Sequence, residues 1–345
     1  MKPSSISSGR CCSRERCRND RRTRTGSLPP AFDDYAAESL AQAPAGGPGK
    51  NGLLEATFAR AGDGPTRLVR DRAKVPYHHT GTLETDPAPG LTTLVAQEPT
   101  GGVAQGDRHR MRIDARAGAR AHVTTQSATK VHSMRANYAH LDASLSVSAG
   151  GYLEYMPGPT IVNEDARCLQ TVAVDLEDGA VAVVADVLVP SGLSDHDPFS
   201  FDHYHARVEA DHDGRLICAD AVDLRPAERD PRDPATVGEY GVVGSLYVFT
   251  PGVDADEPAE RVEAETDDTE SSDGIDLEAL TDAIAECLEA CDAVHGGVST
   301  LPYESGAIVR ILGHREADVT EAMRQAWDET RQQILGVGAP ADRRY

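Results

Sequence analysis

Between Gly52 and Leu224 the chain is a succession of short segments in which apolar and polar residues alternate or β-branched residues cluster, each broken by Gly, Pro, Asp or Asn. The segments are 53–58, 67–69, 91–96, 109–113, 121–125, 138–147, 169–176, 180–189, 205–208 and 215–222. Period-two alternation places successive side chains on opposite faces of a strand, and no helical period intervenes. The pattern predicts a mainly β protein, with a β-helix-like or antiparallel β body over 50–250. Glycine-punctuated stretches at 147–152 and 176–180 read as tight turns between neighbouring strands. A parallel α/β sheet is not expected.

Beyond this body the character changes. Residues 251–274 hold ten acidic residues and one basic one without apolar period, which reads as a solvated linker or insertion. Asp276 is placed to cap a helix whose apolar residues Leu277, Leu280, Ile284, Leu288, Cys291 and Val294 recur at three- and four-residue steps up to Gly296-Gly297. A strand at 307–312 and a helix at 318–335 follow. A helix-strand-helix portion, 275–338, is therefore expected to pack on the β body.

Charge restricts partners. Acidic residues number 56 against 34 Lys and Arg, for a net −22, and only Lys2, Lys50, Lys74 and Lys130 are lysines. That balance suits a protein hydrated in high salt and repels nucleic acid and anionic membrane. A halophile's cytoplasm is the expected setting. Residues 1–24 alone carry +6, which leaves −28 on the remainder. They contain Cys11, Cys12 and Cys17 and no apolar stretch of a secretion signal. The segment 1–30 reads as a disordered basic tail or an over-extended gene start. The other cysteines, Cys168, Cys218, Cys287 and Cys291, are too scattered for a disulfide framework. No run reaches the roughly 18 apolar residues of a membrane helix, and no fixed-period repeat is found.

Catalytic motifs are scarce. Gly47, Gly49 and Gly52 match GxGxxG in letters, but no strand precedes them and no helix follows. Gly49-Lys50 is followed by Asn51, so it is no phosphate loop, and neither a GxSxG elbow nor an HExxH helix occurs. Metal ligands are better represented. Asp195, His196, Asp197, Asp202, His203 and His205 gather three imidazoles and three carboxylates within eleven residues, a mix suited to nickel or zinc. The same letters also describe an acidic surface loop. Cys287, Cys291 and His295 fall at i, i+4 and i+8, on what is also the apolar stripe of the expected helix, where core packing is the favoured reading; His78-His79 carries less weight still.

One set of motifs is more specific. Pro99-Thr100-Gly101-Gly102, followed by Gly106-Asp107, resembles the "PsGG…gGD" signature of the urease accessory protein D family (UreD, also called UreH). In the same order come Thr124-Thr125-Gln126 with Lys130, similar to "TTQaatK", and Gly151 through Leu153-Glu154-Tyr155 to Pro157, similar to "gA.LEylP" with Ile161 and Ala166 after it. Arg310 and Gly313 resemble "vRvlG", and Trp327 with Arg331 resembles "W..lR". The arginine of a Gly-Arg pair common in the family is missing at 189–193.

The resemblance implies a β-helix-like body with a few helices and a non-enzymatic role. Members act as scaffolds that, with UreF and the GTPase UreG, bind apo-urease (UreABC) and help load nickel into its active site. The implied chain holds no tight cofactor and at most a transient Ni²⁺. Gly101, Gly102 and Gly106 would serve turns, and Asp107 would cap one. Thr125, Gln126 and Lys130 suit either a hydrogen-bonded ladder or a polar passage for nickel, and Glu154, with His196, His203 and His205, is the candidate transient ligand set. The alternative from another class is a β-helical hydrolase or carbohydrate-active enzyme using paired acids such as Glu154 and Asp186; 5% aromatic residues argue against sugar platforms. Contacts between acidic partners would rest on salt screening and apolar patches, so lowering the salt is expected to dissociate the complex.

Overall fold

The computed structural model describes residues 29–38, 49–190, 197–252 and 275–341. The acidic stretch 253–274, most of the basic tail and His196 lie outside the described residues. In chain order the elements are α1 (Pro30–Ala37), β1 (Asn51–Arg60), β2 (Thr66–Lys74), β3 (Thr82–Leu83), β4 (Thr92–Ala96), β5 (Arg108–Ala115), β6 (Arg120–Thr125), β7 (Thr129–Val131), β8 (Ala139–Val147), β9 (Tyr152–Met156), β10 (Thr160–Val162), β11 (Arg167–Leu176), β12 (Val181–Val189), β13 (His203–His212), β14 (Arg215–Leu224) and β15 (Val242–Phe249). Then come α2 (Leu277–Glu289), β16 (Val294–Thr300), a short 3₁₀ turn, β17 (Gly306–Gly313) and α3 (Glu316–Leu335).

Two sheets form, ordered β14-β13-β11-β8-β5-β1-β2 and β16-β17-β15-β12-β9-β6-β4-β3. From β4 to β13 the main strands fall alternately in the second and the first sheet, so the chain winds as a β-helix. The β-helix-like body is as expected, but its inner pairings are parallel, β1 to β13 in one sheet and β4 to β12 in the other. Antiparallel pairing is confined to the margins.

The glycine turns are where the sequence reading needs correction. Val147 and Tyr152 belong to different sheets, as do Leu176 and Val181, so these turns carry the chain between sheets rather than between paired strands. Gly118, Gly150 and Gly179 all take a left-handed φ of 62–65° at equivalent corners. The corners stack through Gly118 N–H to Ala149 O and Gly150 N–H to Asp178 O, both 3.2 Å. The repeat is structural, with unequal coil lengths that hide it from a fixed-period search.

The first core lies between the sheets and takes one face of each strand, such as Leu54, Ala56 and Phe58 of β1 and Leu153 and Tyr155 of β9. The second lies on the outer face of the other sheet, where Val183, Leu246 and Ile311 meet Leu280, Ile284, Val319, Met323 and Trp327 of α2 and α3. β12 and β15 sit between both cores and read as near-continuous apolar runs for that reason. Helix α2 stops at Glu289, earlier than its apolar spacing suggests, and Cys291, Val294 and His295 lie beyond it. Gly296 belongs to β16, where a Cβ would meet Leu288 at 3.2 Å. Cys287, Cys291 and His295 therefore do not line one helix face. Helix α1 has no counterpart in the sequence reading; it docks through Phe32, fully buried against Tyr138 and Leu169.

Candidate functional site

The Pro99–Asp107 signature forms the crossing from β4 to β5. Gly101, Gly102 and Gly106 all have positive φ, and a Cβ on Gly102 would stand 2.2 Å from Lys130 O. Asp107 caps this crossing as expected: its carboxylate accepts from Lys50 N at 2.6 Å and Ala104 N at 2.9 Å. Lys50, set aside as part of a failed phosphate loop, ties the same crossing by donating its ammonium to Thr100 Oγ1 and Gly102 O, both 2.9 Å. Thr125 accepts from Gly158 N at 2.8 Å, Gln126 N–H donates to Ala96 O, and Lys130 O accepts from Val103 N. These backbone ties are those of a ladder between coils, while Thr125 and Gln126 also line a cleft with Tyr77, Glu98 and His109.

Strand alternation turns Leu153 and Tyr155 into the inter-sheet core and Tyr152 and Glu154 outward, beneath α3. Glu154 is fully buried, and its carboxylate accepts from Tyr152 OH at 2.6 Å and Trp327 Nε1 at 2.9 Å and lies 2.7 Å from His122 Nδ1. Arg331, also fully buried, sits 3.7 Å from Glu154 and donates to both oxygens of Asp86, with Nη1 at 3.1 Å. Burial pushes the Glu154 carboxyl up, but the His122 contact and the Arg331 charge outweigh it and leave the group below its ordinary range. Trp327 and Arg331, the residues of the C-terminal motif, thus clamp α3 onto the Leu-Glu-Tyr strand. Gly313 lets α3 approach, since a Cβ there would lie 2.6 Å from Val319. Pro157 follows β9 at the coil corner, and Arg310 of β17 pairs with Ser245 of neighbouring β15 and, across to the first sheet, with Asp220 of β14.

Asp186 faces the opposite way. Gln170 Nε2 donates to it at 2.8 Å and Tyr204 OH at 3.2 Å, both from the first sheet, and burial raises its pKa. Glu154 and Asp186 therefore lie on opposite faces of one sheet and do not form the acid pair that the hydrolase reading requires.

His203 and His205 both stand on a strand; the segment read as 205–208 begins two residues earlier, so only His203 leaves the loop that the same letters also allowed. Residues 203–212 alternate, with Tyr204, Ala206, Val208 and Ala210 inward and both histidines outward, nearly covered. Antiparallel β14 sets Asp223 opposite His205. His203 Nε2 lies 2.7 Å from Asp223 Oδ1 and His205 Nδ1 3.6 Å from it, and one ligand atom from each of the three falls within 4.8 Å of the others. His203 Nδ1 and both ring nitrogens of His205 are buried without a hydrogen-bond partner among the described residues. Burial lowers both imidazole pKa values, which keeps the rings neutral and able to ligate. Two imidazoles and a carboxylate favour nickel or zinc over calcium or magnesium. Arg225 Nε stands 3.2 Å from His203 Nε2 and Nη2 3.1 Å from Asp223 Oδ2, so an ion held by all three ligands takes the place of this guanidinium. Phe32 of α1 covers His203, with ring centroids 4.5 Å apart. Asp223 was missed in the sequence because its place beside His205 depends on strand register.

Two other histidines set the acid limit of the fold. Burial depresses the His109 and His140 pKa values to about 4 from 6.5. Between those values the unfolded chain binds the extra protons, so stability rises with pH across that window. Acid titration at constant salt should show unfolding free energy falling from about pH 6.5 toward pH 4, by up to about 3 kcal/mol for each histidine. A flat profile over that window contradicts the neutral burial of both rings.

The family described as UreD urease accessory protein matches residues 50–344. The chain belongs to this family. It is similar to the urease accessory protein UreD of Natronomonas pharaonis, 65% identical over 92% of this chain and 99% of the relative. The UreD proteins of Haloquadratum walsbyi and Haloarcula marismortui are 51% and 44% identical, again over 92% of this chain and 96% and 98% of theirs. The chain is a haloarchaeal-type UreD in its sequence, which accords with its acidic, lysine-poor composition. Among the described residues no helix is long and apolar enough to cross a membrane.

Proposed function

We propose that this chain is a cytoplasmic urease maturation scaffold. With UreF and the GTPase UreG it binds apo-urease (UreABC) and takes part in the GTP-dependent incorporation of nickel into the urease active site. Family membership over residues 50–344 carries this reading. The placement of the signature residues supports a scaffold: Asp107, joined by Lys50, ties the coils, and Trp327 and Arg331 fasten the helix to them. The chain acts by presenting surfaces and needs no tightly bound cofactor.

Nickel is cargo in this scheme. His203, His205 and Asp223 are the residues best suited to hold it for a time, because they combine neutral imidazoles, an ionised carboxylate and an arginine that competes for the place. A loosely held ion moves on to urease, whereas a closed four-ligand site retains it. Glu154 is less suited, since its oxygens already serve Tyr152, Trp327 and His122.

The reading is tested in cells that express urease with its accessory proteins. His203→Ala/His205→Ala should lower urease activation at least about tenfold, a change of about 1.4 kcal/mol, while the chain still co-purifies with UreF and apo-urease. Undiminished activation removes the histidines from the nickel path. Failure of the wild-type chain to capture UreF or apo-urease in high salt removes the scaffold reading itself.

A further inference from the structure

The first sheet carries positive charge at its β2 end, against the sign of the whole chain. Strands β1, β2 and β5 contain eight Arg or Lys residues against three acidic ones, in a protein of net charge −22. Register puts most of that charge on one face. Leu54, Ala56 and Phe58 point into the core, so Leu53, Glu55 and Thr57 point out, and their partners share their side. Lys74 and Arg110 flank Leu53, Arg72 and Arg112 flank Glu55, and Arg70 and Asp114 flank Thr57, with Asp114 held by Arg116 at 3.1 Å.

Only part of this charge is neutralised at home. Glu55 lies 3.1 Å from Arg112 and 3.8 Å from Arg72. Arg70, Lys74 and Arg110 are exposed and make no ion pair among the described residues, although the chain has acidic side chains in excess. Like charges set across neighbouring strands repel, and a cluster kept in spite of that repulsion is relieved when an anionic surface covers it. Lys74, Arg72, Arg110 and Arg112 edge a shallow concavity over Leu53 and Glu55.

We propose that the outer face of β1, β2 and β5 docks a carboxylate-rich protein surface, with Arg70, Arg72, Lys74, Arg110 and Arg112 as its contacts. Strand geometry spaces these cations about 7 Å along and about 10 Å across the sheet, which sets the spacing of the carboxylates they meet. Four of the five are arginines, whose planar fork grips a carboxylate through two hydrogen bonds and keeps doing so where salt screens longer-range attraction. The same facts disfavour nucleic acid. No aromatic side chain lines the concavity to stack a base, Glu55 occupies its centre, and phosphate binding weakens steeply with salt. On this face, contact between acidic partners is attractive rather than merely tolerated through screening.

The test uses the full chain in about 1 M KCl, where the Debye length is about 3 Å, with a fluorescent polyglutamate peptide and an oligothymidylate of equal charge as probes. Polyglutamate should bind the more tightly, and Lys74→Glu/Arg110→Glu, which removes no internal ion pair, should weaken it at least about tenfold. The variant's melting temperature, matched to wild type, establishes that it folds; Lys74→Gln/Arg110→Gln should give an intermediate loss. Tighter oligothymidylate binding, or polyglutamate binding indifferent to the substitutions, overturns the proposal. Self-association of the wild-type chain that the substitutions abolish overturns it too, since the occupant is then a second copy. Carbodiimide coupling within the complex with UreF and apo-urease gives a second readout, because the chain has only four lysines. Coupling should run through Lys74, and coupling through Lys130 alone contradicts the docking face. If that complex never forms, the urease reading fails, and the probe measurements still decide this one.

Discussion

Asp86→Ala should destabilise the protein by about 3–5 kcal/mol, the cost of leaving a buried charge without its partner. Arg331 and Asp86 are both almost completely enclosed, with side-chain exposures of 0% and 1%. Removal of the carboxylate leaves the guanidinium with Glu154 at 3.7 Å and the Trp327 ring centroid at 5.3 Å, and its Nε already lacks a hydrogen-bond partner among the described residues. The loss should be read by denaturant unfolding at fixed high salt. Loosening of α3 should accompany it, seen as faster amide exchange across 316–335. Asp86→Asn, which keeps the shape and one acceptor, should lose less. Equal stability of Asp86→Ala and wild type would mean that the clamp contributes nothing to the docking of α3.

Asp107→Ala should cost about 3 kcal/mol by a different route. The backbone N–H groups of Lys50 and Ala104 lose their acceptor, and Lys50 Nζ loses the charge 3.3 Å away. Buried donors left unsatisfied cost about 1–3 kcal/mol each. Because Lys50 leads directly into β1, the damage should spread to the β1–β5 pairing. Amide exchange in 51–60 should therefore rise more than in 167–176, three strands away in the same sheet. A uniform rise across both strands would count against a local tie.

Much of the architecture was open to a reader of the sequence, for a definite reason. Alternation reports which side chains face a core, so the longer strands from 53 to 222 and the Asp276 cap were recoverable, whereas β3, β7 and β10, of two or three residues each, are too short to show a period. Alternation does not report the partner strand. The same Val147–Tyr152 letters serve a hairpin or a corner between sheets, and only the stacking of Gly118, Gly150 and Gly179 distinguishes them. Helix α1 has eight residues, no side-chain cap and one anchoring ring, Phe32, so nothing local announces it. Of the clamp, Glu154, Trp327 and Arg331 were visible as motif residues, but their meeting spans 173 positions of sequence. For the histidine pair a usable signal was present. Alternation runs from His203 to Asp211, so the segment read as 205–208 could have been extended in both directions and His203 placed on it.

The strands at the four outer edges of the two sheets, β2, β14, β3 and β16, all run against their neighbours. A winding built of parallel coils offers at each open end a template on which another copy could continue it without limit. Reversing the last strand ends the parallel ladder at each edge, so the edge strand is no longer the parallel template of a next coil. A coil gained or lost in evolution must therefore enter between these reversed strands, where the ladder is still parallel on both sides.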